Sequence, residues 1–154
     1  MRKNLTFWTI VAAGGRTILK SGTPDSGRIK AQKVISELKT ANLEITSLQL
    51  AATRSQQEGC KTIAATEANE IDQKCDKDEL TAIGTDSPFV EQEKDELDVS
   101  LPIHDSAGKI IATAGMDFKA AGQTKVTVTQ QAKLIAAELE RRLTSKNQLF
   151  EPAQ

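Results

Sequence analysis

An alternation of apolar and polar residues on both sides of one turn constrains the fold more than any other feature. Apolar residues stand at every second position of residues 97–103, and again of residues 110–118. Between these runs, residues 105–108 read Asp-Ser-Ala-Gly, a turn with glycine where a left-handed residue is favoured. The pattern predicts a β-hairpin with one buried face. We expect that face to comprise Leu97, Val99, Leu101, Ile103, Ile110, Ala112, Ala114, Met116 and Phe118.

The opposite face of the hairpin carries polar residues, among them Asp98, Ser100 and His104. We expect these side chains to point away from the core. Pro102 stands in the same series, and proline has no N–H to donate to a strand ladder. Pro102 is therefore expected to lie on an edge of the sheet, at a bulge or on a non-bonded side of its strand.

The remaining segments supply two further strands and three helical stretches. Apolar residues at spacings of three and four predict helices over residues 28–42 and 126–143, and two helical turns over residues 76–83. Shorter apolar runs at residues 45–52 and 60–66 predict strands separated by a polar hairpin loop. This order predicts an α+β fold with an antiparallel sheet flanked by an N-terminal and a C-terminal helix.

Composition excludes several classes of protein. The 154 residues are enough for one domain with a genuine core. The net charge is −1 and no basic stripe is visible, so we expect no nucleic-acid partner. No apolar run approaches the roughly 20 residues of a transmembrane span. The chain has four Phe, one Trp and no Tyr, which leaves few platforms for stacking bases or sugars.

The two ends are expected to lie outside the domain. Residues 1–15 run from basic to apolar to small, which is the order of a secretory signal, although an edge strand or helix of the mature fold is the alternative. With the linker they form an N-terminal extension, residues 1–27. We assign the domain to residues 28–145 and a flexible tail to residues 146–154. Export would place the protein in an extracytoplasmic compartment, periplasmic or secreted.

Two cysteines, Cys60 and Cys75, are the only ones in the sequence. An even number of cysteines in an exported protein predicts a disulfide, here one that ties the second strand to the following connection. The alternative is a pair of unrelated buried thiols. With one histidine and no C-x-x-C spacing the chain lacks the ligands of a structural zinc site. We expect neither a metal nor a cofactor.

Residues 101–118 (LPIHDSAGKIIATAGMDF) resemble the closing hairpin of Cache-type, PAS-like extracytoplasmic sensor domains. The helices before the first strand and after the last one also suit that family. The chain departs from it in two respects. Such sheets have five strands, and the segment before Leu97 is short for a strand of its own. The clusters of Tyr, Trp and Arg with which some members bind amino acids are absent.

The resemblance implies a small-molecule pocket between the sheet and the connection formed by residues 67–89. This connection has the least regular pattern in the chain, and loops on a rigid sheet often carry binding groups. The candidate ligand-binding residues are Arg54, Glu91 and Glu93. The planar fork of Arg54 suits an anionic group. The alternative for Arg54 is a surface residue at the end of a hairpin.

Three functions remain open from the sequence. The first is a free-standing, non-catalytic sensor-type domain that binds a small molecule, an anionic one if Arg54 contacts it. The second is a protein-interaction or structural module of an exported protein. The third is a small enzyme that uses His104 and the acidic run of residues 91–98, although no nucleophile motif accompanies the histidine. A solvated strand face is the alternative for the acidic run, so we assign no catalytic residue.

Overall fold

Five antiparallel strands form the centre of the fold in the computed structural model, which describes residues 28–154. The strands are β1 (Ile45–Thr53), β2 (Cys60–Ala65), β3 (Phe89–Glu93), β4 (Glu96–His104) and β5 (Ile110–Lys119), in the spatial order β2-β1-β5-β4-β3. The helices are α1 (Lys30–Ala41), α2 (Lys77–Thr85), α3 (Lys125–Arg142) and α4 (Lys146–Phe150). The expected α+β class is confirmed. The possible export signal and its linker lie outside the described residues.

The two faces of the sheet are covered by different helices. α1, α3 and α4 contribute Ile35, Leu139 and Leu149 to a core cluster with the apolar face of the sheet. α2 packs on the opposite face, where it contacts β4 and β5. None of the described helices is long and apolar enough to cross a bilayer.

The β4–β5 hairpin buries the apolar face expected from its alternation, with one exception. Ile110 is only partly buried because the register shifts after Ile103, so that His104 lies opposite Ile110. Ser100 is also buried, at 3% exposure, although it belongs to the polar face. The other eight apolar residues share one buried face as predicted, and Ser100 is buried because α2 covers the second face. β3 pairs with β4 only as far as Ser100, so Pro102 stands where β4 has become an edge.

A fifth strand, β3, occupies the segment that we considered too short for one. It pairs with β4 from Phe89 opposite Ser100 to Glu93 opposite Glu96. Lys94 adopts a left-handed conformation, with φ of 55°, in the tight turn between the two strands. β3 is an edge strand whose acidic half is exposed, so its sequence lacks the apolar alternation by which the other strands are recognised.

Residues 146–154, which we expected to be a flexible tail, instead pack against the N-terminal end of α1. Ser145 caps α4, and Leu149 is fully buried. The backbone N–H of Lys30 donates to the Glu151 carbonyl at 2.6 Å, and Pro152 forms a β-bridge with Ile29. The expectation was wrong because a single apolar anchor in a five-residue helix leaves no periodic pattern.

The predicted disulfide joins Cys60 to Cys75, with the two Cα atoms 5.4 Å apart. Residues 72–75, which we call the strap, run along the outer edge of β2. The Thr62 N–H donates to the Gln73 carbonyl at 2.9 Å, and the Cys75 N–H donates to the Cys60 carbonyl at 3.0 Å. The strap thus covers an edge of the sheet that would otherwise be open to strand pairing.

Candidate functional site

α2 lies on a polar surface of the sheet, and its first turn is fixed there by Glu79. The carboxylate of Glu79 accepts from the Asp76 backbone N–H at 2.9 Å and from the Gln49 side-chain amide at 3.2 Å. Asp76 in turn accepts from the Glu79 N–H, which completes a capping box. Burial raises the pKa of Glu79. Gly115 makes room for this contact, because a Cβ there would lie 3.1 Å from the Gln49 side chain.

Two aspartates face each other beneath the same end of α2. Asp98 on β4 stands directly opposite Asp117 on β5, and the Ser47 hydroxyl donates to Asp117 at 2.7 Å. Burial, followed by repulsion from Asp117 and Asp78, raises the pKa of Asp98 to about 8. Asp98 therefore keeps its proton at neutral pH.

The acidic surface extends from this pair to β3. Burial and then the charge of Glu91 raise the pKa of Asp78 on α2, with a smaller contribution from Glu93. No group of three or more His, Cys, Asp or Glu side chains with the geometry of a metal site occurs in residues 28–154. Repulsion among these carboxylates lowers stability. The buried residues Glu79 and Ala82 hold α2 on the sheet.

His104 contacts the C-terminal end of α2. Its Nδ1 lies 2.7 Å from the Glu140 carboxylate on α3, and its Nε2 lies 2.7 Å from the carboxylate of Asp86, the residue that caps α2. Its backbone N–H also donates to Glu140, at 2.8 Å. Hydrogen bonds to Asp86 and to Glu140 raise the pKa of His104. The sequence placed His104 beside a turn, but neither of its partners was foreseen.

A gap in the sheet forms one of the pockets of this structure. The ladder between β1 and β5 ends at the pair Ala51–Thr113, although β1 continues to Thr53 and β5 begins at Ile110. The space between the parted strands has a volume of about 210 Å³, and we call it the strand-gap pocket. It is lined by Ala51, Ala52, Thr53, Cys60, Ile83, Asp105, Lys109, Ile110, Ile111, Ala112 and Lys146.

The charged groups of the strand-gap pocket are two lysines and one aspartate. Asp105 accepts from the backbone N–H groups of Ala107 and Lys109, both at 2.9 Å, so its charge is engaged in the turn. Within the described part of the chain, neither Lys109 nor Lys146 forms an ion pair. The sequence offered no signal for these lysines, because the end of a strand ladder leaves no local pattern.

A second pocket lies on the face of the sheet that α1 covers, beside the β1–β2 hairpin, and we call it the hairpin pocket. It has a volume of about 330 Å³ and is bordered by the N-terminal end of α1 and by Ile71 and Asp72. Arg54 and Lys61 line it together with Glu58. The guanidinium of Arg54 lies 4.8 Å from the centre of the Phe150 ring, a cation–π contact.

The three expected ligand-binding residues are not brought together. Arg54 lines the hairpin pocket, near the end of β1. Glu91 and Glu93 are exposed on β3, at the opposite edge of the sheet, and line neither pocket. The separation arises because β3 pairs with β4, so that the whole width of the sheet stands between the two groups. Both pockets do border the connection of residues 67–89, through Ile83 and through Ile71.

Comparison with known proteins identifies the fold. No family model matches the chain, and no curated protein matches it significantly. Among solved structures, the A. aeolicus nlh2 GAF domain in an inactive state is similar, with 7% identity, a TM-score of 0.52, and coverage of 74% of this chain and 88% of that one.

Two transcriptional regulators are also similar. The C-terminal domain of E. coli KdgR has 13% identity and a TM-score of 0.50, covering 77% of this chain and 95% of that one. The Agrobacterium tumefaciens repressor BlcR has 8% identity and a TM-score of 0.50, covering 79% and 70%. At these identities the likeness concerns the fold alone. The chain therefore has a PAS-like fold, and these neighbours do not confirm the narrower Cache-type assignment.

Proposed function

We propose that this protein is a non-catalytic, sensor-type domain that binds a small anionic molecule in the strand-gap pocket. The observation that carries the proposal is the parting of β1 and β5 after the pair Ala51–Thr113. Parted strands present backbone donors and acceptors to the space between them, in addition to side chains. Binding sites typically combine an apolar concave wall with a few converging polar groups.

The lining defines the class of ligand. Ala51, Ile83 and Ile111 provide an apolar wall, and Lys109 and Lys146 provide positive charge. A volume of about 210 Å³ corresponds to about seven water molecules, so the ligand is small. A monocarboxylate with a short aliphatic body matches both the charge and the size.

The hairpin pocket is the second candidate site within the same function. It contains Arg54, the residue expected from the sequence to meet an anionic group. We rank it second because one face of the guanidinium is already occupied by the Phe150 ring. The negative charges of Glu58 and Asp72 also offset the positive charges of Arg54 and Lys61 in this pocket.

The absence of catalysis is part of the proposal, and the way the reactive side chains are engaged supports it. Cys60 and Cys75 are joined in the disulfide, and both ring nitrogens of His104 face carboxylates. The buried carboxyl of Glu79 lies under α2 rather than in either pocket. A catalytic acid or nucleophile needs to reach a substrate.

An extracytoplasmic location is also proposed, and the disulfide supports it because such bonds persist in oxidising compartments. The test is mass spectrometry of the protein isolated from its native cells with free thiols blocked. We expect an oxidised Cys60–Cys75 pair in the extracytoplasmic fraction. Reduced protein confined to the cytoplasm would contradict this location.

A thermal-shift screen of short aliphatic and branched monocarboxylates tests the binding function. A ligand at 100 times its dissociation constant stabilises a protein by about 2.7 kcal/mol, which the screen detects. For a carboxylate that binds, we expect Lys109→Ala to weaken affinity about tenfold, as losing a charged hydrogen bond does. Lys119→Ala, which removes an exposed lysine at the other end of β5, is the matched control and should bind normally.

The same screen separates the two candidate sites. If Arg54→Ala weakens carboxylate binding and Lys109→Ala leaves it unchanged, the binding site is the hairpin pocket. A carboxylate that stabilises parent and both variants equally would exclude both pockets, and no stabilisation by any monocarboxylate would contradict the ligand class.

A further inference from the structure

We propose that His104 is a pH-sensitive latch that holds the C-terminal end of α2 over the strand-gap pocket and so makes ligand affinity depend on pH. The latch itself is supported by the contacts that His104 makes. Only its effect on affinity rests on the function proposed above.

The latch connects three elements through one side chain. The imidazole of His104, at the end of β4, contacts Asp86 at the end of α2 and Glu140 on α3, each at 2.7 Å. Glu140 is held from a second direction by the His104 backbone N–H. The ring side chain is 28% exposed, so protons exchange with solvent without any opening of the core.

Only the protonated ring satisfies both contacts. The imidazolium carries an N–H on each nitrogen and donates to both carboxylates, whereas neutral imidazole carries one N–H. After deprotonation one nitrogen presents a lone pair to a carboxylate oxygen, which is repulsive. Because the backbone N–H keeps Glu140 in place, the contact to Asp86 is the one that is lost.

The direction of the pH response follows from the raised pKa of His104. The histidine of the unfolded or unlatched state loses its proton near its ordinary pKa of about 6.5, while the latched histidine keeps it. The latch is thus fully formed below that pH and is lost as the pH rises through the higher pKa of the latched state.

The latch borders the strand-gap pocket on two sides. Asp86 caps α2 three residues after Ile83, which lines the pocket, and its own N–H donates to the carbonyls of Ala82 and Ile83. His104 stands opposite Ile110, another lining residue. Release of Asp86 therefore loosens the wall formed by Ile83 and changes the space between β1 and β5.

The charged groups near His104 come from each neighbouring element. They are Asp86 on α2, Glu140 on α3, and Asp105 and Lys109 in the β4–β5 turn. The carboxylate of Asp105 accepts from the backbone N–H groups of Ala107 and Lys109, so its charge is engaged in the turn. Asp86 and Glu140 are the ones that contact the ring.

Proton NMR on the full chain tests the latch directly, because His104 is the only histidine in the sequence. We expect one imidazole signal that titrates with a pKa above about 6.5. Asp86→Asn and Glu140→Gln should each lower this pKa. Glu138→Gln, which removes a carboxylate on the same helix that pairs with Arg141 instead, should not. Titration at the ordinary pKa in the parent would overturn the latch.

Hydrogen exchange tests whether the ring holds α2. Between about pH 5.5 and pH 9, after correction for intrinsic rates, we expect the last-turn amides of α2 to lose about tenfold in protection, as for one charged hydrogen bond. In His104→Gln, protection should be low at both pH values. Equal protection of parent and variant at acidic pH would contradict the latch.

Hexanoate titrations at the same two pH values distinguish the latch from the proposed function. We expect tighter binding at the acidic pH for the parent and no pH difference for His104→Gln. If neither hexanoate nor any other carboxylate of the screen binds while NMR and exchange behave as expected, the ligand proposal fails and the latch stands. If hexanoate binds the parent equally at both values, the latch does not regulate the site.

Discussion

Replacing Cys60 and Cys75 with alanine should lower the free energy of unfolding by about 3 kcal/mol, the value expected for a disulfide that closes a loop of this size. The two cysteines are 15 residues apart, and they tie the start of β2 to the residue just before the cap of α2. Without the bond, the unfolded chain gains conformational freedom, while the folded strap keeps only its backbone hydrogen bonds. Urea denaturation monitored by circular dichroism measures the difference.

A reductant provides an internal control, because the sequence contains no other cysteine. Dithiothreitol should destabilise the parent by about as much as the double substitution does, and should leave the substituted protein unchanged. Hydrogen exchange should report the largest local change at Thr62 and Cys75, whose N–H groups bond between β2 and the strap. A double variant as stable as the parent would show that the backbone bonds alone hold the strap.

Asp98→Asn should reduce the dependence of stability on pH between about 5 and 8. The pKa of Asp98 is about 8 in the folded protein and 3.8 in its ordinary state. Between these values the folded protein binds one proton more than the unfolded chain, so stability falls as the pH rises. An asparagine cannot ionise, and its amide can donate to Asp117.

For the parent, we expect the free energy of unfolding to fall by about 2 kcal/mol from about pH 5 to about pH 8, well below the full linkage value because the site is partly solvated. Asp98→Asn should be the more stable protein at the higher pH. Asp95→Asn, in the exposed β3–β4 turn, is the matched control and should follow the parent. A parent that becomes more stable across this range would refute the raised pKa of Asp98.

For the polar residues beneath α2, the sequence pattern predicted which face of the sheet they occupy but not what packs on that face. Alternation placed Asp98 and Ser100 on the opposite face from Leu97 and Val99, and the structure agrees. The same pattern predicted that this face is exposed to solvent, and it gave no sign that a helix covers the face. α2 covers it because Ala82 and Glu79 are buried against it, a docking that no local periodicity specifies.

The candidate site was the least predictable part of the chain. The connection at residues 67–89 borders both pockets, through Ile71 and Ile83, and a ligand site beside it stays a prediction. Lys109 and Lys146 were missed, because they are 37 positions apart and meet only where β1 and β5 separate. Glu140 was missed for the same reason, since its contact with His104 joins residues 36 positions apart.

By itself the sequence determined the local elements, the inward face of the β4–β5 hairpin and the cysteine pair, because each depends on residues close together along the chain. Tertiary structure alone decided the fifth strand, the packing of α4 on α1, the gap between β1 and β5 and the carboxylates that face His104. These features depend on surfaces that meet only after the chain has folded. The energies that select them, from burial, charge and backbone pairing, are set by three-dimensional neighbours.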